Sequence, residues 1–155
     1  MKITKYMMLA ALFIASAHSM SLTAKNITVP KMYMFGFAAS FNDSIVHFTE
    51  IQTIDSVWID QKTHFLAGRE NYSYQLRDFL ADKLQMPHRT CVVVYNQDRL
   101  KLEKEYLKMK RIYTTGKKKV KKKDQDKVQS HNDLRLLPSA DFKFQLVDMS
   151  GPTNE

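Results

Sequence analysis

Three side chains in the middle of the sequence are of the types that acid–base catalysis uses. His47, Glu50 and His64 could serve a small hydrolase, because an imidazole and a carboxylate within hydrogen-bond reach can move a proton. No Gly-x-Ser-x-Gly elbow or other local hydrolase signature surrounds them. We therefore assign no catalytic residue and keep a small periplasmic hydrolase with an unrecognised site as the alternative function.

Two short spacings could each place a pair of metal ligands together, His47 with Glu50 and His88 with Cys91. A structural zinc site needs four ligands and a catalytic one three, so each pair supplies half a site at best. The four glycines are far apart, which leaves no glycine-rich phosphate loop. We expect no metal and no cofactor, and we interpret Cys91 as a small buried hydrophobe of a β-like run.

The positive charge of the chain is concentrated in one stretch. The sequence holds 24 Lys and Arg against 16 Asp and Glu, a formal net charge of +8. Residues 99–127 alone carry 13 basic and 4 acidic side chains, a net +9, so the remainder without Lys2 and Lys5 is at −3. The balance describes a basic arm on a near-neutral body, and not a protein that is basic throughout.

Six lysines stand close together in the centre of this stretch, and their mutual repulsion predicts a flexible, solvated loop over residues 115–133. They are Lys117, Lys118, Lys119, Lys121, Lys122 and Lys123. Each lysine near an anionic membrane contributes about 1 kcal/mol, so the arm could bind an anionic membrane or glycan surface. It lacks interleaved aromatic residues that stack on bases, which argues against nucleic acid. A loop that only aids solubility explains the same lysines equally well.

Ser44 and Ser56 each follow an aspartate and precede a β-branched residue. The triplets resemble the Asp-Ser-apolar acceptor of a general O-glycosylation system in some Gram-negative gut bacteria. The two serines are therefore candidate O-glycosylation sites. Intact mass of the natively exported protein tests this, because an unmodified mass contradicts it.

The first 19 residues have the pattern of a secretory signal peptide. Lys2 and Lys5 precede the apolar run 7–15, and small residues follow it. We expect cleavage after Ser19 or, as an alternative, after Ala24. The run is shorter than the roughly 20 residues that span a bilayer, and no cysteine follows it for lipidation. The chain is therefore expected to be exported, periplasmic or secreted, and not lipidated.

A β-hairpin opens the folded part. Residues 31–41 are apolar or small on both faces, which predicts a central strand, and Asn42–Ser44 supplies turn chemistry before a second strand at 45–52. Residues 57–59 either extend this strand or cap the core. Leucine and phenylalanine spacing then predicts a helix that begins near Asn71 or Ser73 and ends before Pro87.

The second half alternates strand and helix. A β-branched run predicts a strand at 90–95, and Asp98 is the predicted N-cap of a second, basic helix. Alternating residues at 142–147 predict the last strand. The order of hairpin, helix, strand, helix and strand predicts an α+β fold, a two-layer sandwich with a mixed sheet. We expect one domain over residues 27–148 that includes the lysine-rich loop, and a tail at 149–155; the sequence leaves the oligomeric state open.

Three segments, Ala39–Thr49, Gly68–Arg77 and Arg89–Val93, carry a resemblance that covers about residues 31–113. They resemble small exported proteins of Gram-negative gut bacteria. The resemblance implies export and a bacterial source, and it implies neither an activity nor a site. Together with the basic arm it favours a non-enzymatic exported protein that binds or interacts at the cell envelope.

Overall fold

The computed structural model describes residues 25–115 and 132–150. Its central strand, β1 (Asn26–Ala39), is 14 residues long. Met34 and Phe35 point to opposite faces of the sheet, and both are fully buried. A strand that is apolar on both faces must be covered on both sides, so the predicted central strand is confirmed, with a start five residues earlier than the pattern indicated.

The hairpin continues along one edge of β1 through β2 (Ile45–Thr49) and β3 (Gln52–Asp60), both antiparallel to β1. In the turn, Asp43 Oδ1 accepts the N–H of Ile45 at 2.8 Å, as Asx turns do. The predicted hairpin is therefore confirmed, and residues 57–59 extend the strand and do not cap the core from a loop.

A β-bulge separates β2 from β3. Phe48 lies opposite Phe37 and Gln52 opposite Met34, so one extra residue is inserted between these pairs. At that point Thr49 Oγ1 accepts the backbone N–H of Gly36 at 2.8 Å. The threonine hydroxyl thus satisfies a donor that the interrupted ladder leaves without a backbone partner.

Two further strands complete the sheet in the described residues. β4 (Thr90–Asn96) pairs antiparallel with the other edge of β1, and β5 (Asp133–Leu137) pairs parallel with β2. The spatial order is therefore β4, β1, then the continuous β2 and β3, with β5 outside β2. The mixed sheet and the α+β class are confirmed.

The two helices lie on opposite faces of this sheet. Helix α1 (Arg69–Leu84) packs Tyr72, Leu76 and Leu80 on the face that includes Met34. Helix α2 (Arg99–Thr115) packs on the face that includes Phe35. The sheet is thus flanked by helix on both sides, and the expected arrangement of two layers gains a third, because the doubly apolar β1 has to be covered twice.

Gly36 lets α1 approach β1 closely. A Cβ at this position would stand 2.6 Å from Leu76 Cδ2 and 3.1 Å from Phe144.

The N-terminus of α1 also differs from the expectation, because the cap is Gly68 with φ of 65° and makes no side-chain cap hydrogen bond. A residue at positive φ is most easily a glycine, so the helix begins earlier than Asn71 or Ser73.

The predicted strand at 142–147 is wrong. This segment is irregular, and the side-chain amide of Gln52 binds it: Gln52 Nε2 donates to Phe142 O at 2.8 Å and Gln52 Oε1 accepts the N–H of Phe144 at 2.9 Å. Both phenylalanines are buried beneath α1. The alternating pattern therefore reflects an irregular segment whose backbone is held by the Gln52 side chain. The last strand of the described chain is β5.

Candidate functional site

The six lysines of the predicted arm, Lys117 to Lys123, lie outside the described residues. The structure does show α2, the helix that leads toward them. Its backbone begins as predicted: Asp98 Oδ1 accepts the N–H groups of Leu100 at 2.9 Å and Lys101 at 3.2 Å, so the predicted N-cap is confirmed.

The inner face of α2 is fixed by aromatic packing. Tyr106 meets Phe35 edge to face at 4.9 Å between ring centroids, and Tyr113 packs on Phe37 at 4.7 Å. Such pairs contribute about 0.5 to 1.5 kcal/mol each beyond the area they bury. Leu102 is buried between them and the sheet. The helix therefore has one defined rotation about its axis, and its outer face is equally defined.

The outer face of α2 combines exposed leucines with cations. Leu100 and Leu107 are 68% and 65% exposed, and a separation of seven residues puts them on the same side of a helix. Lys104 and Lys108 are exposed on that side. We call Leu100, Lys104, Leu107 and Lys108 the α2 outer face.

The whole of α2 carries six basic and two acidic side chains, a net charge of +4. One of the acids is already paired, because Arg99 Nε donates to Glu103 Oε1 at 2.8 Å. Soluble helices usually expose polar residues opposite the core. Leu100 and Leu107 are two large apolar exceptions on this exposed face.

The three candidate catalytic side chains are not brought together. His47 pairs in register with Ala38, whereas His64 lines a cavity of about 470 Å³ beside Met32. Met32 and Ala38 are six residues apart on β1, which is about 20 Å along a strand. Glu50 Oε2 accepts hydrogen bonds from Ser139 N and Oγ at 2.9 and 2.8 Å, and these bonds lower the pKa of its carboxyl group.

His47 itself lies in a buried polar cluster that sequence reasoning missed. It is 1% exposed, and its Nδ1 has no hydrogen-bond partner in the part of the chain that the structure describes. Burial, and then the positive charges of Arg89 and Arg135, lower its pKa to about 4, against the opposing effect of Asp43 and Asp133. The imidazole is therefore neutral near pH 7 and held in the fold as an uncharged group.

Arg89 is the anchor of this cluster. Its side chain is only 2% exposed, and its Nη2 donates to Asp43 Oδ2 at 2.6 Å while Nη1 donates to Ile45 O at 2.7 Å. The hydrogen bond from Arg89 is the main reason that the pKa of Asp43 is lowered. The guanidinium ties β4 to the hairpin turn, and the only hint in the sequence was a lone cation directly before an apolar strand.

The remaining predicted residues are accessible or inert. Ser44 and Ser56 are both exposed, so their modification stays a prediction. Cys91 is half-buried, and burial raises the pKa of its thiol to about 11, which agrees with an unreactive core cysteine. Within residues 25–115 and 132–150, no three His, Cys, Asp or Glu side chains cluster as metal ligands would.

Among the described helices, neither is long and apolar enough to cross a bilayer. The α2 outer face, which sequence reasoning missed, could have been found from its spacing, because Leu100 and Leu107 fall on the polar side of the predicted helix.

Comparison with family models, with curated protein sequences and with solved structures finds no match for this chain.

Proposed function

We propose that this chain is a non-enzymatic protein of the cell envelope that binds the surface of an anionic membrane. The observation that carries the proposal is the α2 outer face, where two exposed leucines stand among lysines. Leucines inserted at the acyl boundary gain hydrophobic free energy, and lysines gain from the negative surface potential.

The arm would add to this attraction. Residues 117–123 follow α2 directly in sequence and hold six lysines, so their attraction to anionic headgroups would add to that of Lys104 and Lys108. At about 1 kcal/mol for each lysine near the surface, arm and helix together supply enough attraction for peripheral binding at moderate salt. Placing this surface at the envelope rests on the signal-peptide pattern of residues 1–19, which the described residues do not include.

Flotation with vesicles tests the proposal. The mature chain should float with vesicles of phosphatidylglycerol and phosphatidylcholine and not with pure phosphatidylcholine, and binding should weaken as salt shortens the Debye length. Replacing the six arm lysines with glutamine should weaken binding strongly. The double variant Leu100→Gln/Leu107→Gln should weaken it at least about tenfold, because the apolar part of the contact is lost.

The matched control is Leu146→Gln, which removes a leucine that is 48% exposed outside α2 and should leave vesicle binding unchanged. Equal binding of the double variant and the parent chain would contradict the proposal. Retention on heparin without any vesicle binding would also contradict it, because the ligand would then be an acidic glycan.

A further inference from the structure

Side chains of the sheet and of α1 hold the C-terminal segment, which we define as residues 142–149. Gln52 binds two of its backbone groups, as described above. Gln75 of α1 binds two more, because its Oε1 accepts the N–H of Gln145 at 2.8 Å and its Nε2 donates to the C=O of the same residue at 3.0 Å. Two side-chain amides thus bind four backbone groups of the segment.

The segment is held without a β-ladder. Across the described part of the chain, no backbone–backbone hydrogen bond joins the C-terminal segment to a helix or a strand. Its next contact is again with a side chain, since the hydroxyl of Tyr72 accepts the N–H of Val147 at 3.2 Å. Peptide-binding proteins work in a comparable way: hydrogen bonds to the main chain of the peptide give affinity, and pockets for its side chains give specificity.

Side chains of the segment fill pockets between α1 and the sheet. Phe142 packs on Phe79 of α1 at 5.1 Å between ring centroids, and Phe144 meets Tyr72 edge to face at 6.2 Å. Both phenylalanines of the segment are buried, at 6% and 2% exposed. The pockets therefore fit a peptide in which one residue separates two phenylalanines. We call the site that is formed by Gln52, Tyr72, Gln75 and Phe79 the α1 groove.

One short turn joins the C-terminal segment to the last strand, β5. Pro138 O accepts the N–H groups of Asp141 at 3.0 Å and of Phe142 at 3.1 Å. Because the segment lies beyond this turn and belongs to no ladder, it can leave the α1 groove without separating any pair of strands.

We propose that the α1 groove is a peptide-binding site, that the chain's own C-terminal segment is its resident ligand, and that the same segment of a second copy can replace it. The resident segment is the observation that selects this ligand. An identical segment from a second copy would make the same main-chain bonds and fill the same pockets. Reciprocal replacement gives a dimer that exchanges its C-terminal segments.

The exchange goes beyond the proposed membrane binding and does not depend on it. Peptide binding and dimerisation are both measured without lipid. Failure of either proposal therefore leaves the other standing.

The resident segment competes with any added peptide. A ligand on a short tether acts at an effective concentration in the millimolar range, so the parent chain should bind an added peptide weakly. Phe144→Ala weakens the resident segment, because Phe144 is 2% exposed and its loss leaves a cavity. An added peptide supplies the phenylalanine that this variant lacks.

Fluorescence anisotropy with a labelled peptide of residues 138–150 tests the site. Phe144→Ala, made in the full chain, should bind this peptide at least about tenfold more tightly than the parent chain does. Adding Gln52→Ala to this variant should lower the affinity again by at least about tenfold, because two main-chain hydrogen bonds are lost. The matched control is Leu146→Ala in the same segment, where the side chain is 48% exposed; it should bind the peptide as the parent chain does.

Three results would overturn the peptide site. The first is equal affinity of Phe144→Ala and the parent chain for the peptide, and the second is an affinity that Gln52→Ala leaves unchanged. The third is equal binding of a peptide that itself carries Phe144→Ala. If the Phe144→Ala chain is unfolded on its own, the peptide should refold it, and a circular dichroism spectrum that stays unfolded also overturns the proposal.

Shortening the turn tests the exchange between copies. Deletion of Ser139 and Ala140 removes the centre of the turn, so the segment should no longer reach the groove of its own chain, and a short hinge favours exchange. Sedimentation velocity should then show a dimer. The control is insertion of two glycines after Ala140, which should sediment as the parent chain does. A shortened chain that is monomeric, or that forms only heterogeneous aggregates, overturns the exchange.

Discussion

Two edge strands of the sheet, β4 and β5, are built in opposite ways. β4 offers seven uncharged residues and outward backbone groups. β5 has five residues, and Arg135 Nη2 contacts Asp133 Oδ2 at 2.8 Å on its surface. Charge and short length block further pairing. Within residues 25–115 and 132–150, we therefore call β5 the closed edge, because its own charges protect it, and β4 the open edge, because it has neither charge nor a second strand partner.

The closed edge, β5, also pairs with β2, the strand that holds His47 of the buried polar cluster. His47 of β2 is the register partner of Arg135 of β5, and Arg89 ties the adjacent hairpin turn to the start of β4. The side chains of β4 that face α1 instead join the apolar core. Low pH should therefore weaken the region of the closed edge far more than that of the open edge.

The largest expected effect is the pH dependence that His47 imposes. Its pKa is about 4 in the folded chain and about 6.5 when unfolded, so between these values the unfolded state binds more protons. The free energy of unfolding should fall by on the order of 3 kcal/mol as the pH drops from about 6.5 to about 4. Above pH 6.5 this contribution is fully present. Urea unfolding across this pH range measures it.

His47→Leu should remove that part of the slope, because the unfolded variant no longer gains a proton. His64→Asn is the control: His64 is exposed with φ of 58°, and asparagine tolerates this conformation. If the free energy of unfolding depends on pH in the same way in His47→Leu and in the parent chain, His47 is not a buried neutral group. Hydrogen exchange should show the acid-induced loss at β2 and β5 before β4.

The next effect is the loss of Arg89. Arg89→Met fills similar space but leaves Ile45 O without its buried donor, and it detaches Asp43 from β4. We expect a loss of about 2 kcal/mol in the free energy of unfolding, since unsatisfied buried acceptors are costly. Arg99→Met, which breaks only the exposed pair with Glu103, should cost at most about 0.5 kcal/mol. Equal losses for the two variants would show that the Arg89 pair is not structural.

The smallest effect on stability, and the sharpest test of the comparison, is to open the closed edge. Asp133→Thr/Arg135→Val removes both charges of β5, whose ion pair is half-exposed, so the free energy of unfolding should change by less than about 1 kcal/mol. The variant should nevertheless self-associate more than the parent chain does, because the outer edge of β5 is now unprotected. Sedimentation velocity measures the added species; their absence would show that charge is not what closes β5.

Local patterns predicted much of the fold where the determining contacts are local. The Asn42–Ser44 turn, the doubly apolar β1 and the Asp98 cap each depend on residues close in sequence, and each is confirmed. The strand predicted at 142–147 failed for a distant reason. Gln52, about ninety residues away, takes up its backbone groups, and no pattern within the segment encodes that.

Of the candidate membrane-binding site, only the concentration of positive charge was predicted from the sequence. The sequence located the basic stretch, but the exposed face that includes Leu100 and Leu107 was not predicted from it. The sequence also could not show that the three candidate side chains lie apart: His47 lies opposite Ala38, Glu50 accepts hydrogen bonds from Ser139, and His64 lines a cavity beside Met32. Catalytic geometry is a matter of distance in space, and spacing along the chain does not determine it.

The sequence by itself determined the hairpin, the two helices, the strand β4 and the basic stretch, because propensity, capping and charge act over a few residues. Only the tertiary structure decided that α2 covers one face and α1 the other, that Asp133–Leu137 pairs with β2 as the last strand, and that β4 lies at an edge of the described sheet. Those outcomes depend on which strands pair although they are far apart in the sequence. A strand lies at an edge only when no other strand pairs with its second side, and local sequence patterns do not show this.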